Sequence, residues 1–153
     1  MAQTTGGMSF YAALVKYSST NEAWAAMSDI SGEGTAVSAA GGDRAFGEVN
    51  TFTGDVPIVT PGKRGSVSVT VRVVYTDSAL EAFNAIRALY ETAGGFIRLA
   101  WSPNGTGTTV FEVWRNETFQ GIITAFAYPG GEAGDGAPAL CEFTVTGSRI
   151  ESL

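Results

Sequence analysis

The chain has 153 residues, enough for one domain with a substantial core. With 9 basic and 15 acidic side chains its net charge is −6, which argues against a protein that holds nucleic acid by neutralising phosphates. It contains no histidine, so Ser-His-Asp and Cys-His catalysis and most zinc and iron sites are excluded, and its single cysteine, Cys141, allows no disulfide within the chain.

Residues 1–8, small and polar, are expected to form a flexible N-terminal arm. No basic region followed by a long apolar core marks a signal peptide, and no apolar run is long enough to span a membrane. Synthesis in a cytoplasm without membrane insertion is the expectation. Phe10 to Tyr17 alternates weakly and reads as a strand or a short helix. Trp24–Ile30 is expected to be a strand, Gly32–Gly42 a loop or a weak strand, and Phe46–Phe52 a strand.

Residues 53–65, "TGDVPIVTPGKRG", contain Pro57 and Pro61, which cannot donate to a central ladder. They read as a long connection between strands or an extended hairpin arm; a connection of this length in a small domain usually has a function. The following run, "GSVSVTVRV", alternates without a miss. Val67, Val69, Val71 and Val73 share one face, and Ser66, Ser68, Thr70 and Arg72 share the other.

A helix is expected over residues 78–93. Ser78 and Glu81 have the spacing of a capping box; Leu80, Phe83, Ile86, Leu89 and Tyr90 form an apolar stripe; Gly94-Gly95 is a stop signal. Glu81, Asn84, Arg87 and Glu91 lie away from the stripe's centre. Further strands are expected at Phe96–Trp101, Val110–Trp114 and Phe119–Tyr128, with a turn at residues 115–117. After the glycine-rich loop 129–138, Ala139, Cys141, Phe143 and Val145 alternate with Leu140, Glu142, Thr144 and Thr146. The spacing predicts a mainly β domain, an antiparallel sandwich or barrel with one flanking helix.

No motif carries catalysis. "GKRG" at residues 62–65 lacks the upstream glycine and following hydroxyl of a phosphate loop. Glu132 and Asp135 alone do not make a calcium loop. The sequons at Asn104 and Asn116 read as turn chemistry. Glu48, Glu112 and Glu142 read as single acids on solvated strand faces rather than a glycosidase pair. Trp24, Trp101, Trp114, Phe111, Phe126 and Phe143 read as core or subunit contacts rather than a sugar platform, and Cys141 as a buried thiol. No enzyme activity, cofactor or metal is expected.

In order, "EAWAAMSDI", "GEVNTFTGDVPIVTPGKRG", a long strand ending "VVYT", "DSALEAFNAIRALYETAGG" and "FTVTGSRIE" give an outline from Trp24 to Glu151. It resembles the major tail tube proteins of long-tailed, siphovirus-type bacteriophages, a fold group shared with the inner tubes of contractile tails and type VI secretion. The resemblance implies a β-sandwich or barrel with a flanking helix and hexameric rings with sheets joined edge to edge. Rings would stack into a tube around the tape measure protein, bounded by tail terminator and distal tail proteins, and genomic double-stranded DNA would later pass without specific binding. Ser66, Ser68, Thr70, Thr144 and Thr146 would then line the lumen, with Arg72 paired to an acid such as Glu112 or Glu142 or lying beyond the wall. Asp55, Lys63 and Arg64 would contact the next ring; Leu80, Phe83, Ile86 and Tyr90 would pack the helix. The location implied is the virion tail. The alternatives are another ring-forming tail component, distal-tail or terminator-type, and a carbohydrate-binding β-sandwich.

Overall fold

The computed structural model describes residues 9–78, 81–114 and 120–152. The N-terminal arm, Leu80, the turn at 115–117, Phe119 and the Asn116 sequon lie outside them, as does the side chain of Trp114. The chain runs through β1 (Leu14–Ser18), β2 (Ser28–Asp29), β3 (Gly34–Gly41), β4 (Arg44–Val49), β5 (Ile58–Arg64), β6 (Val67–Val74), α1 (Ala82–Glu91), β7 (Phe96–Ser102), β8 (Phe111–Trp114), β9 (Gly121–Gly130), β10 (Leu140–Gly147) and β11 (Arg149–Ser152). No helix among the described residues is long and apolar enough to cross a membrane.

All pairings are antiparallel. One layer is β3-β6-β10-β9; the other is β2-β1-β7-β8-β11. They join where the start of β7 pairs with β9 through Phe96↔Ile122 and Ile97↔Gly121. The alternation of β6 is realised as expected: Val67, Val69, Val71 and Val73 are buried. With Phe143 and Val145 of β10, Ile97 and Leu99 of β7, and Val113 of β8 they form the core. Each such side chain contributes about 1.5–3 kcal/mol by leaving water. The other face of β7 is buried too, with Ala100 packed against Met27, Val110 and Trp24.

Helix α1 closes one end of this core through Ala82, Phe83 and Ile86. Phe83 meets Tyr75, Phe126 and Tyr128 edge-on at 5.7–5.9 Å between ring centroids, and Tyr90 meets Phe126 at 5.1 Å. The helix is shorter than the expected 78–93. Glu81 is its extended N-cap residue, with φ −68° and ψ 158°, and is fully buried rather than at the side of the apolar stripe. Its Oε2 accepts the Thr76 N–H at 2.5 Å and the Thr76 hydroxyl at 2.7 Å. The first helical N–H, that of Ala82, donates instead to Glu33 Oε2 at 2.8 Å. An acid brought by the fold caps the helix and meets its positive end.

One further expected strand differs, and two open alternatives resolve. Trp24–Ile30 is mostly a 3-10 turn (Trp24–Ala26) followed by the two-residue β2, because Met27 and Ile30 turn into the interior as single anchors. Of the two alternatives for Gly32–Gly42, the strand is realised as β3, whose small residues ladder along β6 from Gly34↔Val73 to Gly41↔Val67. For residues 53–65 the extended hairpin arm is the alternative realised, since β5 occupies Ile58–Arg64 and pairs with β4 as a separate two-stranded sheet. Pro61 fits there because a two-stranded ribbon consists only of edges. The connecting tip is residues 50–57. At the foot of this hairpin Gly41 and Gly42 have φ of 93° and 77°, and a Cβ on Gly41 would stand 2.5 Å from the Ser66 carbonyl. Only glycine turns the chain there.

Candidate functional site: an uncharged sheet face, two open edges and a projecting arm

The solvent side of β6 and β10 is a ladder of hydroxyls. Antiparallel register puts Thr70 opposite Thr144 and Ser68 opposite Thr146, with oxygens 3.0 and 3.1 Å apart. Thr124 of β9 extends the row to Thr146 at 2.9 Å. On the far side β3 sets Ser38 opposite Thr70, with Ala36 and Ala40 to either side. Beyond β10, Ala125 and Ala127 oppose Thr144 and Glu142. The face is therefore small-residue and hydroxyl across four strands. Its two charges cancel: Arg72 Nη2 lies 2.5 Å from Glu142 Oε1, with both partners partly exposed. Of the two acids considered for Arg72, Glu142 is the partner. Ser66 lies outside β6 at the hairpin foot, where its carbonyl accepts the Gly42 N–H at 2.9 Å.

Both lateral edges of this layer are open among the described residues. β3 ends the strand order, and β9 pairs with β7 only at Gly121 and Ile122, leaving the run to Gly130 without a strand on that side. A long unpaired edge is a template for another chain.

The arm formed by β4 and β5 leaves the layer at the Gly41 end and shares no extensive contact with the body. Phe46, Val49, Phe52, Val56, Ile58 and Val59 are each more than half exposed on it. A lone two-stranded hairpin is marginally stable in water. Asp55 is in the tip, whereas Lys63 and Arg64 are at the foot, about 25 Å away at ~3.3 Å per residue. The structure does not bring these three together. At the foot Arg44 stands opposite Arg64, a like-charge pairing eased on one side by the Arg44 Nη1 bond to the Gly62 carbonyl at 3.0 Å.

The opposite end of β3 borders a groove of about 420 Å³ at the mouth between the two layers. Its walls include Phe10, Tyr11, Ala13, Val15, Thr35 and Val37. Phe10 and Tyr11 stand exposed on a 3-10 turn, which is how the weak Phe10–Tyr17 pattern resolves: turn first, then β1.

The remaining candidates are dispersed. Glu48 is exposed on the arm, Glu142 pairs with Arg72, and Glu112 is buried beside Arg98. The expectation of Glu112 on a solvated face is wrong: the second covered face of β7 pairs Arg98 with it at 2.6 Å. Arg98 also donates to Asn21 Oδ1 at 2.7 Å and to the Glu22 carbonyl, pinning the 19–23 loop. Nothing in the sequence marked Arg98, because only β7–β8 pairing brings its partner near. Asp135 closes a turn by accepting the Ala137 N–H, and Asn104 Oδ1 does the same for Thr106. No group of three or more candidate metal ligands exists among the described residues. Trp101 and Phe143 are core, and Trp24 is half-buried with the Lys16 ammonium 4.7 Å over its ring. Cys141 is buried, and burial, with Glu81 and Glu33 adding, pushes its thiol up to about 11.

No family model matches the chain, and no curated protein sequence matches it significantly. Solved structures do. A chain in the cryo-EM structure of the anti-feeding prophage cap, a tube terminating cap, superposes with a TM-score of 0.65 at 14% identity, covering 100% of this chain and 95% of that one. A chain of the sheath–tube complex of an extracellular contractile injection system in its extended state gives 0.62 at 17%, covering 99% of both. A chain from the tail of an empty gene transfer agent particle, refined with C6 symmetry, gives 0.57 at 13%, again covering 99% of both. At these identities the likeness shows a common fold, the β-sandwich of tail-tube-like proteins.

Proposed function

We propose that this chain is a structural protein of a phage-type tail, one whose copies close into a hexameric ring and stack as a tube. One observation carries the proposal: a single sheet layer combines a small, hydroxyl-lined, net-neutral face with an unpaired edge at each side. Pairing β3 of one copy with the free run of β9 of the next continues the face and removes both edges, which a closed barrel alone achieves. The neighbours' association with tubes, caps and a sixfold tail supports this use of the fold.

In the ring, Ser68, Thr70, Thr144 and Thr146 line the bore, with Ser66 at its rim. The bore carries no uncompensated cation to hold a polyanion, so double-stranded DNA passes it on the way to the host. The same bore surrounds the tape measure protein before ejection. Asp55 on the arm tip and Lys63 and Arg64 at its foot face the adjacent ring. The protein works in the virion tail without catalysis or cofactor, as the major tail protein of a long-tailed phage, bounded by terminator and distal tail proteins.

Electron microscopy of the purified protein at high concentration tests the proposal; rings and tubes are expected, and a persistent monomer overturns it. A second reading, a terminator that forms one ring, is favoured by the likeness to a tube terminating cap. Isolated rings that never stack would select it.

A further inference from the structure

We infer that the acidic loop 129–138 of one copy, through Glu132 and Asp135, docks on the cationic cluster Arg44, Lys63 and Arg64 of a copy in the next ring, and that this pairing makes the stack head-to-tail. The inference rests on the tube reading and assigns the cationic cluster its partner residues.

Charge is sorted along the hydroxyl-faced layer. β10 runs from Leu140 to Gly147, about 23 Å at ~3.3 Å per residue. At its Gly147 end, opposite Val67, a cleft of about 380 Å³ is walled by Arg64, Ser66, Thr146 and Ser148. At its Leu140 end, opposite Val74 and Gly130, a cleft of about 430 Å³ has Glu132 and Asp135 in its walls. Asp77, three residues past β6, adds a third acid at that end.

The cations of the Gly147 end are the ones left over. Among the described residues four other arginines lie in ion pairs, and Lys16 sits over the Trp24 ring. Arg44, Lys63 and Arg64 are exposed and form no ion pair among the described residues. Asp43 offsets one of the three, and the cluster stays positive. Glu132 and Asp135 are likewise exposed and outside any ion pair among the described residues. Unlike charges at opposite ends of one molecule make a heterologous contact, which repeats from copy to copy without closing. Stacking two cationic ends, or two acidic ends, sets like charges together at every subunit of a ring. Only the cationic end against the acidic end is attractive, so charge selects the polarity of the stack.

The chain has two lysines, Lys16 and Lys63, so carbodiimide treatment of assembled wild-type tubes followed by peptide mapping tests the contact directly. The reagent joins an amine to a touching carboxylate as an amide and takes up the water lost. A link from Lys63 to Glu132 or Asp135 of another chain is expected. Tubes in which Lys63 links only to other acids, or to none, overturn the inference while the tube reading stands. Wild-type protein that forms neither rings nor tubes overturns the reading and the inference together. Charge reversal is the second test. Glu132→Lys with Asp135→Asn keeps an acceptor for the Ala137 N–H and is expected to give rings without tubes at the wild-type unfolding midpoint. Adding Lys63→Glu and Arg64→Glu to the same chain is expected to restore tubes. Normal tubes from the first variant, or rings that still fail to stack in the second, overturn the inference.

Discussion

Arg98 Nε and Glu112 Oε2 lie 2.6 Å apart on the covered second face of β7, with side-chain exposures of 9% and 0%. The second carboxylate oxygen of Glu112 has no partner, so its stabilisation depends on this one guanidinium. Removing one member of such a pair strands a buried charge, whereas replacing both with apolar groups is often neutral. Arg98→Met should therefore lose about 3–5 kcal/mol in urea unfolding, and Arg98→Met with Glu112→Leu should recover most of it. A single-variant loss under about 1 kcal/mol would show that the pair is not the anchor described here.

The hydroxyl ladder predicts a non-additive cycle. Thr70→Val or Thr144→Val alone leaves the facing hydroxyl without its cross-strand partner and should cost at most about 1 kcal/mol. The double variant should cost less than the sum, and ring formation should persist in all three. Strict additivity in thermal unfolding would mean the 3.0 Å contact carries no coupling.

Glu142→Gln leaves Arg72 uncompensated on the face while changing stability by under about 1 kcal/mol, because the pair is partly exposed. In an assembled ring the change repeats around the bore. Tubes of this variant should retain short duplex DNA in a salt-sensitive way that wild-type tubes do not. Equal passage through both would remove the neutral face from the account of transit.

The foot of the arm sets Arg64 against Arg44, beside Lys63. Lys63→Glu with Arg64→Glu should leave the subunit folded and block stacking, giving rings without tubes by microscopy. Normal tubes would remove these two residues from the inter-ring contact.

Cys141 contributes to the alkaline fall in stability, alongside Tyr17, whose phenol is also raised by burial. Its folded-state thiol is raised to about 11 from an ordinary value of 9.0, with burial the largest cause. A raised pKa on an acid means its contribution is complete below pH 9 and declines as pH climbs towards 11. Cys141→Val should flatten the fall in stability across that window relative to wild type, and native Cys141 should resist thiol reagents at pH 8. Matching pH profiles would contradict the assignment.

What could be read from the residues alone follows from how local each signal is. The valines of β6 and the Phe83–Ile86 stripe announce themselves because each face repeats within a few residues. The row Ser68, Thr70, Thr144 and Thr146 was legible as two half-faces, but their apposition is a matter of register between strands some seventy residues apart. β3 was ambiguous between loop and strand because alanine, serine and glycine carry little strand preference and are held by a strong neighbour. Residues 53–65 were open between connection and hairpin arm because of Pro61, which a ribbon tolerates and a central strand does not. Glu81 and Glu112 defeat periodicity altogether: Glu81 turns inward to the Thr76 N–H and hydroxyl five residues back, and Glu112 depends on Arg98 from the neighbouring strand. Asp55 and Lys63, close in sequence, prove distant because a strand lies between them.

At the foot of the arm the chain turns through Gly41 and Gly42, and the paired bonds Gly42 N–H to the Ser66 carbonyl and Gly65 N–H to the Asp43 carbonyl tie the arm to the sheet. In the proposed stack, these narrow straps would let stiff segments rotate slightly against one another, so that imposed curvature is absorbed at the two glycines and the strand ladders are spared. A side chain at Gly42, where φ is 77° and a Cβ would stand 2.8 Å from Val67 Cγ1, would distort the strap rather than merely stiffen it.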